Sequence, residues 1–169
     1  MTEDTASIRP ARFPDEYGKP EEESFIAWDH VEERLRGALN YWITTVGPGP
    51  RPHARPVDGV WVDGALCFGG SPETRWVRNL EANPAISVHL SSEAEAIILE
   101  GTVEYVTNPD HPLVEPMSAA SRLKYPQYYT GDEAMPFQPF WLLRPSRAYA
   151  WTLEGFPKGA TRWRFRRSS

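Results

Sequence analysis

Cysteine is nearly missing from this chain of 169 residues: Cys67 is the only one. No disulfide can close within the chain, and no cysteine-based zinc site can form. Long apolar runs are missing too. No stretch approaches the roughly 18 uninterrupted apolar residues that a membrane-spanning helix needs. The opening segment, MTEDTASIRPARFPDEYGKPEEES, is polar and acidic, with no apolar core of the secretory kind. These absences lead to the expectation of a cytoplasmic protein without a membrane partner. Positive charge is in deficit as well. Lys and Arg total 18 against 23 Asp and Glu, a net charge of −5. The molecule as a whole has no electrostatic reason to bind nucleic acid.

Familiar catalytic signatures are absent. There is no Gly-x-Gly-x-x-Gly, P-loop, His-Glu-x-x-His or Gly-x-Ser-x-Gly. The four histidines, His30, His53, His89 and His111, lack metal-ligand spacing, so no metal is expected. No acid–base residue stands out, and the catalytic residues stay unassigned. Chemistry here has to come from a bound cofactor.

What is present is a chain of single-domain length, rich in aromatics, with seven tryptophans. Residues 1–24 lack periodicity and carry Pro10, Pro14 and Pro20. They read as a flexible arm or an extended strap over a neighbour, ahead of one domain over 25–169. Asp29-His30-Val31-Glu32 resembles a capping box opening a helix over 29–39. Strands are predicted over 41–46, 54–62 and 65–68, the last two joined by the Asp63-Gly64 turn. Gly69-Gly70 ends the third strand. Ser71 then serves as N-cap and Pro72 as first residue of a helix over 73–82. Further strands are predicted over 85–90, 94–106, 140–143, 148–153 and 161–165. A helix is expected to follow Asn108-Pro109, delayed by Pro116, and an ordered loop covers 124–139. About eight short strands without strand–helix alternation point to a mainly β, antiparallel barrel with two or three short peripheral helices.

The informative stretch runs from Arg51 to Leu90. A strand ends in two glycines and a helix begins at once, offering unpaired N–H groups and the positive end of its dipole. Thr74 adds a hydroxyl. Arg75 and Arg78 put two cations on one helix face, and Arg55 lies on the strand leading in. This is a phosphate cradle, or else a solvated basic face beside a tight glycine turn.

The order His53-x-Arg55-Pro56-Val57, strand, Asp63-Gly64, strand, Thr74-Arg75, Arg78-Asn79-Leu80, Asn83-Pro84, strand resembles the pyridoxamine 5′-phosphate oxidase-like and flavin/deazaflavin oxidoreductase superfamily. The likeness covers residues 30–106, and the late strands around Arg144–Trp151 and Thr161–Phe165 are similar too. It implies a split β-barrel, normally a homodimer with cofactor sites at the subunit interface, acting on a small-molecule substrate. It also implies roles: Arg55, Pro56 and Val57 along the ring, and Gly69, Gly70 and Ser71 at the strand end. Thr74 and Arg75 would hold the phosphate. Many members carry a lysine next; here Trp76 stands there, so that either Arg78 compensates as a cation or the cofactor binds differently. His53 lies near the expected ring site. FMN is the expected cofactor, and the deazaflavin coenzyme F-420 is the alternative. The substrate-binding tail of true pyridoxamine phosphate oxidases is missing, so vitamin B6 oxidation is not expected.

Two functions follow from that likeness: an oxidoreductase moving a hydride, or a non-catalytic carrier of flavin, deazaflavin or a haem-type ligand. An OB-like barrel binding single-stranded nucleic acid is a third reading, opposed by the acidic charge. Trp42, Trp61, Trp141 and Trp151 are expected in the core or an interface. Trp163 and Trp76 are aromatic cofactor candidates. Tyr125, Tyr128, Tyr129 and Phe137 sit in a loop that either lids a pocket or packs on the barrel. Arg162, Arg164, Arg166 and Arg167 form a basic end, with Arg162 and Arg164 on the strand face opposite Trp163 and Phe165; it reads as a solvated face, or, for Arg162, as a contact to an anionic cofactor tail across the dimer.

Overall fold

The computed structural model describes residues 6–129 and 136–166. Part of the expected arm (1–5), part of the 124–139 loop (130–135) and Arg167 lie outside the described residues. The elements are β1 (Ala6–Pro10), α1 (Trp28–Gly37), β2 (Tyr41–Val46), β3 (Pro52–Val57), β4 (Gly59–Val62) and β5 (Ala65–Phe68). They continue with α2 (Arg75–Ala82), β6 (Ala85–His89), β7 (Glu95–Val106), α3 (Val114–Lys124), β8 (Phe140–Leu143), β9 (Arg147–Thr152) and β10 (Thr161–Phe165). All strand pairs are antiparallel.

One path runs β1-β10-β9-β7-β6-β2-β3, and a branch runs β7-β8-β5-β4. The long strand β7 serves both. Its first half pairs with β9 and β6, and its second half, from Val103, pairs with β8. Gly101 sits at the changeover. A Cβ there would come within 2.9 Å of Leu143 and 3.2 Å of the Arg144 carbonyl. Only glycine lets the backbones cross so closely. The result is a mainly β split barrel with helices on its periphery.

The core follows from alternation. β2 buries Tyr41, Ile43 and Thr45, β9 buries Ala148 and Ala150, and β10 buries Thr161, Trp163 and Phe165. Helix α1 closes this core with Trp28, Val31 and Leu35, spaced three and four residues apart. The Trp28 ring packs edge-on against Trp61, Trp163 and Phe165, at centroid distances of 6.4, 5.4 and 4.9 Å. Trp163 is fully buried in this cluster, which removes it as a cofactor contact. Trp61 and Trp141 are buried as well, while Trp42 and Trp151 are half-buried.

Three predicted features differ. Residues 6–10 are a strand along β10, although the opening segment shows no strand pattern; its partner is the far end of the chain. The capping box does not form. Helix α1 starts at Trp28 with Ala27 at the cap position, so Glu32 lies a full turn inside. Glu32 is buried and accepts hydrogen bonds from Trp61 Nε1 (3.3 Å) and Arg36 (2.7 Å). The single predicted strand over 54–62 divides at Asp58, where the chain leaves β2 and joins β5.

Candidate functional site

Strand β3 lies at the end of the longer path, next to β2. Its residues His53, Arg55 and Val57 oppose Thr45, Ile43 and Tyr41, which face inward. Val57 and His53 are buried, whereas Arg55 and Pro56 are exposed at the edge. Helix α2 packs across β2 nearby. The Asn79 amide donates to Thr45 Oγ1 (3.0 Å), and Thr45 Oγ1 donates weakly to the His53 carbonyl (3.4 Å). Asn79 therefore ties helix to strands and sets where the helix N-terminus stands. Its burial behind Arg78 is not legible in sequence spacing.

The helix starts later than predicted. Thr74, not Ser71, is at the cap position. Ser71 instead opens a turn: its hydroxyl accepts the Glu73 N–H (3.2 Å) and its carbonyl accepts the Thr74 hydroxyl (2.8 Å). The first intrahelical bond runs from the Arg78 N–H to the Thr74 carbonyl (3.3 Å). The N–H groups of Arg75, Trp76 and Val77 precede it and are free of helix partners by geometry.

Arg75 and Arg78 are both exposed, as their spacing predicts. Arg78 Nη1 donates to the Glu73 carbonyl (2.7 Å), and Arg55 Nη1 to the Ala54 carbonyl (2.8 Å). Arg75 has no hydrogen bond or ion pair among the described residues, and its charge acts on His53. Burial lowers the His53 pKa from its ordinary value, and the Arg75 and Arg55 charges lower it further. The imidazole is thus neutral near pH 7. Its Nδ1 is buried without a hydrogen-bond partner among the described residues. An unpaired buried polar atom next to a free cation and free helix N–H groups is a donor set suited to an anionic, hydrogen-bonding ligand.

Two expected contacts move elsewhere. Trp76 points into the core, 7% exposed, against Phe68 at a centroid distance of 5.8 Å. It leaves the face that Arg75 and Arg78 share. Gly70 is accounted for by the same ring, because a Cβ there would overlap the Trp76 indole. Gly69 differs: a Cβ at this position meets no atom within 4 Å. Gly69 and Ser71 stay exposed at the strand end.

Gly69 also borders a cavity of about 360 Å³ between β4, β5 and α3. Phe68, Met117, Tyr125, Tyr128 and Phe137 line it. The aromatic loop predicted to lid a pocket does wall one. A larger open depression, about 460 Å³, lies at the end of α1 and contains none of the predicted site residues.

The cavity wall is held by two tyrosines of that loop and by Lys124, which sequence reasoning missed. Tyr125 Oη accepts the Gly59 N–H (2.9 Å) and donates to the Leu39 carbonyl (2.8 Å). Tyr128 Oη donates to Asp58 (2.8 Å). Lys124 Nζ donates to Tyr41 Oη and to the Gly59 carbonyl, both at 3.0 Å, and lies 4.8 Å over the Tyr41 ring. Burial lowers the Lys124 pKa to about 8, with Asp58 opposing the shift. The unfolded chain therefore binds more protons than the folded one between about pH 8 and the ordinary lysine value, and stability gained there rises with pH. Cys67, pushed up to about 12 by burial, acts in the opposite sense above its ordinary value near 9. Urea unfolding should show wild type gaining stability relative to Lys124→Met as pH rises from below 8 towards about 9. A flat or falling difference contradicts the buried-ammonium account.

The fold is that of a small split-barrel protein. Residues 27–152 match the family model described as pyridoxamine 5′-phosphate oxidase, and the chain belongs to that family. No curated protein matches the chain in sequence. Solved structures do. A conserved hypothetical protein from Mycobacterium tuberculosis aligns with a TM-score of 0.62 and 16% identity, over 79% of this chain and 89% of that one. A heme binding protein from Mycobacterium smegmatis gives 0.58 and 19%, over 79% and 56% of the two chains. An F420 reductase gives 0.51 and 23%, over 69% and 94%. These likenesses establish the shared fold.

Proposed function

We propose that this protein is a flavin- or deazaflavin-dependent oxidoreductase acting on a small organic substrate. The observation that carries the reading is the grouping at α2: free N–H groups, the unpaired Arg75 and the neutral, unpartnered His53 Nδ1. When bound, a flavin or deazaflavin supplies hydride transfer to or from a planar, unsaturated substrate. In this reading Arg75, Thr74 and the helix N–H groups hold the phosphate. Arg55, Pro56 and Val57 border the ring, and His53 offers a neutral hydrogen-bonding edge. The 360 Å³ aromatic cavity beside Gly69 takes the substrate. FMN is the favoured cofactor and coenzyme F-420 the alternative. The solved F420 reductase of the same fold supports the second choice.

The reading includes a homodimer with cofactor sites at the subunit interface and a cytoplasmic location. Strand β3 supports the dimer. Its Pro52 and Pro56 cannot extend a β-ladder, so this exposed end of the sheet suits coverage by a second copy rather than strand addition. No helix among the described residues is long and apolar enough to cross a membrane.

A carrier of a haem-type ligand is the second reading. The heme binding protein among the structural relatives supports it. Turnover separates the two. The protein is loaded with FMN or F-420, reduced anaerobically and mixed with small planar acceptors. Reoxidation faster than that of the free cofactor supports the enzyme. No acceleration, together with stoichiometric haem binding, supports the carrier.

A further inference from the structure

On β10 the side chains opposite the buried Thr161, Trp163 and Phe165 are Arg162 and Arg164. Sheet register surrounds them with more arginine. Arg162 lies directly across from Arg9 on β1, and Arg164 directly across from Arg147 on β9. Arg12, just past β1, adds a fifth cation close enough to act on Arg162. Against these five arginines the described residues set one carboxylate within 4 Å, Glu100, 3.8 Å from Arg147 and shared with the Tyr149 hydroxyl at 3.5 Å. This excess occurs in a chain whose net charge is −5.

Like charges directly opposite on neighbouring strands destabilise a sheet. Here the arrangement occurs twice within one patch. Arg162 adds a second anomaly. It is half-buried, and its Nε is shielded from solvent without a hydrogen-bond partner among the described residues. A guanidinium group held this way is shaped to fork onto an oxyanion. The spacing sets the size of the ligand. Neighbouring strands lie about 4.8 Å apart, and Arg162 and Arg164 are separated by about 6.7 Å along the strand. One small anion can engage only part of this grid, whereas a chain of anionic groups can engage all of it.

Within one chain the cofactor grouping is not the same place. Strands β9, β7, β6 and β2 stand between β10 and β3. That is five inter-strand steps, roughly 24 Å along the sheet within one chain.

We propose that the β9-β10-β1 face is a binding site for a soluble oligoanion carrying two or more phosphate or carboxylate groups. It does not depend on the identity of the cofactor. Arg162 and Arg164 form its centre, Arg9 and Arg147 its flanks, and Ser7 and Tyr149 add hydroxyls at ladder positions beside them.

The test uses the full chain without added flavin, at physiological ionic strength. Tripolyphosphate and tetraglutamate are titrated separately by calorimetry. Saturable binding of either that persists in Arg75→Gln supports the site, and the tighter of the two names the anion chemistry. In the Arg75→Gln background, where the phosphate cradle no longer competes for the probe, Arg9→Gln/Arg164→Gln, both at exposed positions, should weaken binding about tenfold or more. Without anion, the same double variant should melt at or above the wild-type temperature, because two facing like charges have been relieved. No saturable binding of either probe overturns the proposal. So does loss through Arg75→Gln alone, which would assign the anion to the cofactor cradle. Tighter binding of a single-stranded oligonucleotide than of either probe overturns the small-molecule occupant.

Discussion

Replacing Trp76 with lysine should lower folding stability by about 3–5 kcal/mol and bring no gain in affinity for a phosphate-bearing flavin. The substitution restores the residue found at this place in many members of the superfamily the chain resembles. On a helix diagram it adds a third cation to the cradle. The structure says otherwise. Trp76 is 7% exposed, stacked at a tilt on Phe68, and its ring fills the space above Gly70. A lysine would empty that volume and draw an ammonium group towards an apolar core. Urea unfolding measures the first effect and an FMN titration the second. A stable variant that binds FMN more tightly would mean that Trp76 faces the ligand after all.

Arg75→Ala should leave stability within about 0.5 kcal/mol of wild type, since the side chain is exposed and unpaired. Its effect on binding should be large. A charge-assisted hydrogen bond to phosphate contributes about 1.5–3 kcal/mol, so FMN affinity should fall by about 10- to 100-fold. Affinity for riboflavin, which has no phosphate, should barely change. A second readout is independent of ligand. Arg75 helps hold the His53 pKa below its ordinary value, so its removal should raise that pKa. Proton NMR of the imidazole through the titration reports this directly. Equal losses for FMN and riboflavin would show that Arg75 supports the pocket rather than the phosphate.

Local pattern carried much of the fold. β10 spans 161–165 as predicted, because Trp163 and Phe165 alternate with arginines. β8, at 140–143, is bracketed by prolines and read equally well. What failed depends on distant partners. β1 has no apolar alternation of its own and exists through its ladder with β10. Asp29 and Glu32 have capping-box spacing, but Trp28 is drawn into the core and starts the helix earlier. The break at Asp58 arises because the chain leaves β2 there and joins β5, so that one predicted strand serves two partners distant in sequence.

For the site, residue types and spacing located Arg75 and the helix N-terminus. They did not disclose that Trp76 turns inward, since that depends on Phe68 and Gly70 meeting it. They also missed Lys124, whose partners Tyr41 and Gly59 are 83 and 65 residues away. The tyrosine-rich loop, by contrast, suggested a pocket before its walls were known.

The most direct test of the central claim is an equilibrium titration of the purified protein with FMN, coenzyme F-420, riboflavin and haem, followed by tryptophan fluorescence. The account predicts saturable binding of FMN or F-420 at one per chain, with riboflavin at least about tenfold weaker than FMN for want of its phosphate. Riboflavin binding as tightly as FMN, or saturation by haem alone, would contradict it.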